Sequence, residues 1–276
     1  MLFRSIGIKS LRYGVDDVAL CARFFSDFGL ALNSSDDCHA SFSLSDDSTV
    51  SLAHLDDPSL PKGAVTGRGV RQVVWGVDTQ HAMEALVKAL STDHDIVEDG
   101  GLFQFTPSFG VPMALALWQP RKLISAPDPL NAPGYVNRLN THRKWRRSAR
   151  PRSINHVVFQ VPEYEAAADF MRSRLGFRLS DIQKGFGTYL RADGSNNHHN
   201  ILLLNARAHL PGCDGQTRFD HANFGVEDID ELMIGVNNMI RKGWEPSEIG
   251  LGRHRIDSAL FYYLPCPAGG EAEYGT

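Results

Sequence analysis

One short pattern begins four times along this chain, and that repetition limits the fold more than any other feature. Residues 8–30 read IKSLRYGVDDVALCARFFSDFGL, and residues 154–177 read INHVVFQVPEYEAAADFMRSRLGF. Each is a strand with period-two apolar alternation, an acidic or proline turn, an amphipathic helix and a closing Gly–apolar pair. In the first, Val18, Phe24 and Phe25 lie near helical spacing and Gly29 ends the helix. RQVVWGVDTQHAMEALVKALSTDHDIVEDG (71–100) and DHANFGVEDIDELMIGVNNMIRKGWEP (220–246) repeat the theme. Strand-like stretches such as GTYLRAD, HNILLLN and SALFYYL fill out the modules. Four βαβββ modules paired into two domains make an α+β protein with curved mixed sheets.

The expected boundaries are 1–120 for the first domain and 153–276 for the second. The segment between, 121–152, starts with QPRKLISAPDPLNAPGYVNRLN, whose prolines and asparagines suit a connector. It ends in a basic run with Arg143, Lys144, Arg146, Arg147, Arg150 and Arg152. The run reads as a solvated linker in preference to an anion-binding patch. A net charge of −4 gives the whole protein no electrostatic case for nucleic acid or an anionic membrane. No apolar run approaches the roughly 18 residues of a membrane span, and the N-terminal stretch lacks a signal-peptide layout. Cys21, Cys38, Cys213 and Cys266 show no C-x-x-C spacing, which fits reduced thiols and a cytoplasmic location. Gly185 and Gly187 mark a tight hairpin.

Aligning the four strands on Val15, Val77, Val161 and Val226 brings a chemical asymmetry into view. Five residues upstream stand Ser10, Gln72, His156 and His221. Paired modules would bring the two histidines together at the centre of a curved sheet. The closing stretch PAGGEAEYGT adds a carboxylate on the last strand, from Glu271 or Glu273, which strand periodicity places on one face. The first domain has about Ala114 at that point. Two histidines and one carboxylate hold a divalent metal while leaving positions open, a donor set that suits Fe(II) or Mn(II). Val158, an apolar strand position, is expected to line the pocket.

The tail GRHRIDSALFYYLPCPAGGEAEYG (252–275) resembles the fingerprint of type I extradiol ring-cleavage dioxygenases of the vicinal oxygen chelate superfamily. The matching residues are Gly252, His254, Tyr263, Pro267, Gly269 and Glu273. The four-module, two-domain layout resembles the same family across the whole chain, most of all enzymes of the 2,3-dihydroxybiphenyl 1,2-dioxygenase type. That resemblance selects Glu273 over Glu271 as the third ligand. It implies His199, within NNHHN, as the acid/base, because a histidine can take and return a catechol proton near neutral pH. It implies His254 and Tyr263 as hydrogen-bonding catalytic groups and Asp257 as a supporting residue beside the substrate.

The resemblance implies an Fe(II)-dependent enzyme, with Mn(II) as the other candidate. Its partners would be a small catecholic substrate and O2, in aromatic compound degradation, and it would form a homo-oligomer. Two other readings fit the same fold: a glyoxalase-like metal-dependent lyase or isomerase, and a non-enzymatic protein that binds a small aromatic ligand.

Overall fold

The computed structural model describes residues 5–142 and 144–276. Arg143 of the basic run and residues 1–4 lie outside them. The first half runs β1 (Ser5–Val15), α1 (Val18–Phe28), β2 (Ala31–Ser35), β3 (His39–Ser43), β4 (Thr49–His54). It continues β5 (Gly69–Val77), α2 (Gln80–Leu90), β6 (Val97–Asp99), β7 (Leu102–Phe105), β8 (Met113–Leu117). The second half runs β9 (Ile154–Val161), α3 (Tyr164–Leu175), β10 (Arg178–Gln183), β11 (Gly187–Arg191), β12 (Ile201–Asn205). It ends β13 (Arg218–Gly225), α4 (Ile229–Arg241), β14 (Gly252–Arg253), β15 (Leu260–Pro265), β16 (Glu271–Gly275).

These elements make four βαβββ modules and two eight-stranded mixed sheets, ordered β2-β3-β4-β1-β5-β8-β7-β6 and β10-β11-β12-β9-β13-β16-β15-β14. In every module the first and last strands pair parallel. A parallel pair needs a long crossover, which the helix and two intervening strands supply. Modules join in pairs through the antiparallel contacts β1–β5 and β9–β13.

Local chemistry fixes the helix ends. Asp17 and Asp228 cap α1 and α4 by accepting from the Leu20 and Glu231 N–H groups. Gly29 ends α1 at φ 108°, and a Cβ there would meet the Ala149 carbonyl at 2.1 Å. Only glycine satisfies both the left-handed backbone and that close approach. The β10–β11 turn carries Gly185 at φ 75° and pairs Gln183 with Gly187, as a hairpin requires.

The buried face of α1 reaches across to the second sheet. Phe28 stacks on Tyr274 at 3.9 Å and meets Phe224 edge-on at 5.4 Å. Tyr274 donates its hydroxyl to the Phe28 carbonyl at 2.7 Å. One hydrophobic cluster therefore runs through both halves, from Val15 and Phe25 to Phe159 and Tyr274.

Residues 121–142 and 144–152 form a connector with no helix or strand. Three of its described cations are paired: Lys144, Arg146 and Arg152 lie against Glu227, Asp228 and Glu231 at the start of α4. Arg147 and Arg150 remain exposed. All four cysteines are free. Among the described residues, no helix is long and apolar enough to cross a membrane.

Candidate metal centre and cavity

The second sheet places three candidate ligands by strand register alone. His156 on β9 pairs with Asn223 on β13, and Asn223 pairs with Glu273 on β16. His221 stands two residues from Asn223 on the same strand, so the pleat puts it on the same face. His156 Nε2 and His221 Nε2 lie 3.3 Å apart, and Glu273 Oε2 lies 3.2 Å from the first and 3.5 Å from the second. Glu271, the other candidate carboxylate, is half-buried at the rim of the neighbouring cavity.

The first sheet shows what this rung becomes without ligands. Val74 pairs with Ala114 where Asn223 pairs with Glu273, so Ala114 occupies the Glu273 position. Val74, Ala114 and Ala116 form a small apolar cluster there, and Gln72 bonds Gln104 across the rung of Tyr263.

The environment favours a cation between the three side chains. Glu273 is fully buried, yet its Oε2 makes no hydrogen bond despite the two nearby imidazoles. An unpaired buried carboxylate oxygen is costly, and a cation removes that cost. The separations of 3.2–3.5 Å suit atoms sharing one ion through bonds of about 2.1 Å. Burial would raise the Glu273 carboxyl, but the His156 and His254 contacts outweigh it and hold the group ionised. Burial lowers His156, keeping it the neutral imidazole a metal needs.

A further layer orients these groups. Asp220 Oδ1 lies 2.7 Å from His221 Nδ1, and Gln160 Nε2 donates to Asp220 Oδ2 at 2.8 Å. Such a carboxylate fixes a ligand histidine's tautomer and ring plane. The sequence reading missed Asp220 because neighbours on a regular strand face opposite ways. Here the β9–β13 register slips between Phe219 and His221, and this bulge turns the Asp220 carboxylate toward the adjacent imidazole. Gly270 keeps the neighbouring turn against it, since a Cβ there would meet the Asp220 carbonyl at 1.9 Å.

The other expected residues surround the centre. The His199 ring stacks on His156 at 4.1 Å, and its Nδ1 lies 3.9 Å from Asp257 Oδ2. Burial, then the nearby imidazoles, holds His199 well below the usual histidine range. His254 Nε2 lies 3.2 Å from Glu273 Oε1 and 3.2 Å from the Tyr263 hydroxyl. Burial, reinforced by the Glu273 charge, pushes the Tyr263 phenol up, so it stays protonated.

A cavity of about 430 Å³ opens beside these groups, lined by His156, His199, His221, His254, Asp257 and Tyr263 on its polar side. Phe186, Tyr189, Leu202, Leu204 and Ile256 form the apolar side. Val158, expected as a lining residue, is not one of them. It is fully buried behind Tyr189, Leu202 and Leu204, which pack on it and face the cavity themselves. Loop residues such as Phe186 and Ile249 carry no periodic signal, so the sequence did not point to them.

Paired βαβββ modules, one pair carrying a two-histidine, one-carboxylate cluster, make the vicinal oxygen chelate fold with a candidate metal centre. Residues 153–256, a stretch that includes His156, His199, His221 and His254, match the Glyoxalase/Bleomycin resistance protein/Dioxygenase superfamily. The chain is similar to metapyrocatechase 2 of Cupriavidus necator, 31% identical over 46% of this chain and 37% of the relative. It is also similar to an iron-dependent extradiol dioxygenase of Rhodococcus jostii (strain RHA1), 31% identical over 44% of this chain and 42% of the relative. The matched regions thus span less than half of either relative. In fold it resembles the Mn(II)-bound glyoxalase of Novosphingobium aromaticivorans, with a TM-score of 0.72 at 22% identity, over 99% of this chain and 82% of that one.

Proposed function

We propose that the protein is an extradiol dioxygenase that opens a catecholic ring with O2 at an Fe(II) centre held by His156, His221 and Glu273. In this reading residues 153–276 are the catalytic domain, 1–120 a domain without ligands, and 121–152 their linker. The supporting observation is the buried, unbonded Glu273 Oε2 set against two imidazoles beside an aromatic-sized cavity. Fe(II), when bound, supplies a Lewis acid for vicinal hydroxyls and a path for electrons from the ring to O2.

The protein's own groups do the rest. Phe186, Tyr189, Leu202 and Ile256 hold the ring and exclude water. His199, kept neutral by burial, takes a proton from a substrate hydroxyl and later returns it. With the His254 Nε2 proton directed to Glu273, Tyr263 keeps its own proton for an oxygen in the cavity. Asp257 steadies His199 from its Nδ1 side. The partners are a small catechol and O2, in a reduced cytoplasmic setting.

The test is anaerobic loading with Fe(II) or Mn(II), then addition of O2 and a panel of catechols, following oxygen uptake and a yellow ring-opened product. The proposal expects one O2 consumed per ring opened, fastest with iron. No uptake with any vicinal diol overturns it. The fold's likeness to a Mn(II)-bound glyoxalase supports a second reading, a metal-dependent lyase or isomerase. Turnover of such a substrate in the absence of O2 would select that reading.

A further inference from the structure

A second group of ligating side chains stands next to the centre. We propose that His198, His199 and Asp257 form a separate divalent-cation site, selective for a borderline ion such as Zn(II). The effect of that site on turnover rests on the dioxygenase reading above; its existence does not.

The donor atoms converge without the first centre's help. His198 Nδ1 and His199 Nδ1 lie 3.2 Å apart, and Asp257 Oδ2 lies 3.9 Å from His199 Nδ1. All three donor atoms fall within 4.8 Å of one another. Two nitrogen lone pairs at that spacing repel unless a proton or a cation sits between them. Two imidazoles and a carboxylate form a donor set that zinc accepts, with water as the fourth ligand.

The site is also held in place. The loop bearing both histidines is tied down by Asn200 Nδ2, which donates to the Asn155 carbonyl at 2.8 Å, and by Asn197 Nδ2, which donates to the same carbonyl at 3.2 Å. The backbone N–H of Ala192 donates to Asn200 Oδ1 at 3.0 Å. Asp257 Oδ1 accepts from the Ala259 N–H at 3.0 Å, which leaves Oδ2 for the histidine side. A polar chamber of about 210 Å³ adjoins the group, lined by Asn155, Asn196, Asn197 and Thr276 besides the ligands. Its amides and hydroxyl can hold the waters that complete a cation's shell. The wall of His156 and His199 separates this polar chamber from the apolar cavity that would take an aromatic ring.

Occupation would commit His199 Nδ1 to the ion and fix its ring. Excess Zn(II) would then inhibit the iron-loaded enzyme without displacing iron.

The test titrates Zn(II) into metal-free protein by calorimetry. Wild type is expected to bind two equivalents, and His198→Ala and His156→Ala one each. The equivalent kept by His198→Ala also reports that the variant is folded. One equivalent in wild type, or two in His198→Ala, overturns the proposal. A crystal of the wild type soaked in Zn(II) decides independently of any variant: anomalous density between His198 and His199 supports the site, and density at the His156 centre alone refutes it. In the iron-loaded enzyme, His198→Ala should raise the inhibitory Zn(II) concentration at least tenfold. Should the protein open no catechol, that inhibition measurement falls with the dioxygenase reading, while the titration and the crystal still decide the site.

Discussion

Glu273 keeps its charge in a fully buried position because imidazoles surround it, so the residue scale is where the centre is most sharply tested. Glu273→Gln should abolish stoichiometric Fe(II) binding, read by elemental analysis after reconstitution and desalting. Asp220→Asn leaves all three candidate ligands in place but loses the partner of His221 Nδ1. It should weaken metal affinity about 10- to 100-fold, measured by competition with a chelator. Tyr263→Phe should leave iron content unchanged and lower kcat about 10- to 100-fold, the worth of one hydrogen bond to a charged group. An equal loss of metal would show that Tyr263 acts on the centre instead. His156 and His221 were legible because repeat positions expose them. His199, His254 and Tyr263 were legible only through family likeness, since the first two stand outside the strands and strand period marks Tyr263 of β15 only as one more strand aromatic. Asp220 was hidden by a bulge that sequence periodicity cannot show.

At the scale of elements, β16 shows how the fold supports its site from behind. Glu273 faces the cavity side, while its neighbour Tyr274 faces the core and stacks on Phe28 of α1. Phe28→Ala should cost about 3–5 kcal/mol in chemical denaturation, as for other large aromatic truncations. It should also weaken metal binding although it touches no ligand. The connector's docking on α4 is a second element-scale device. Burial pushes Glu227 up, but the Ala126 N–H and the charges of Lys144, Arg152 and Arg146 overcome it and bring the carboxyl to about 2. A depressed carboxyl contributes stability above its ordinary value near 4.5 and loses it as pH falls toward 2. Glu227→Gln should therefore be less stable than wild type at pH 6, with the gap closing between pH 4.5 and 2 in denaturant midpoints. A gap independent of pH would assign the contribution to packing. The basic run was legible as a linker, but its acidic partners were not, because they stand some 80 residues further on.

For the whole molecule, the two sheets look separable by topology and are joined by packing. Their hydrophobic cluster is continuous, and α1 of the first half covers strands of the second. A fragment of residues 153–276 should fail to fold cooperatively or hold metal, seen as a lost thermal transition and lost metal binding. Full-length protein should unfold in one transition under the same conditions. A stable, metal-binding fragment would show that the second half carries an independent core.

Strand periodicity and the repeated module are local properties, so the sequence by itself determined the four βαβββ units, their pairing into mixed sheets and the two strand histidines. Distances between side chains far apart in the chain are not local. Tertiary structure alone decided that His156, His221 and Glu273 meet within 3.5 Å, that a bulge turns Asp220 inward, and that Val158 supports the cavity wall without facing it. Register and packing set those distances, and both depend on every strand and helix finding its neighbours at once.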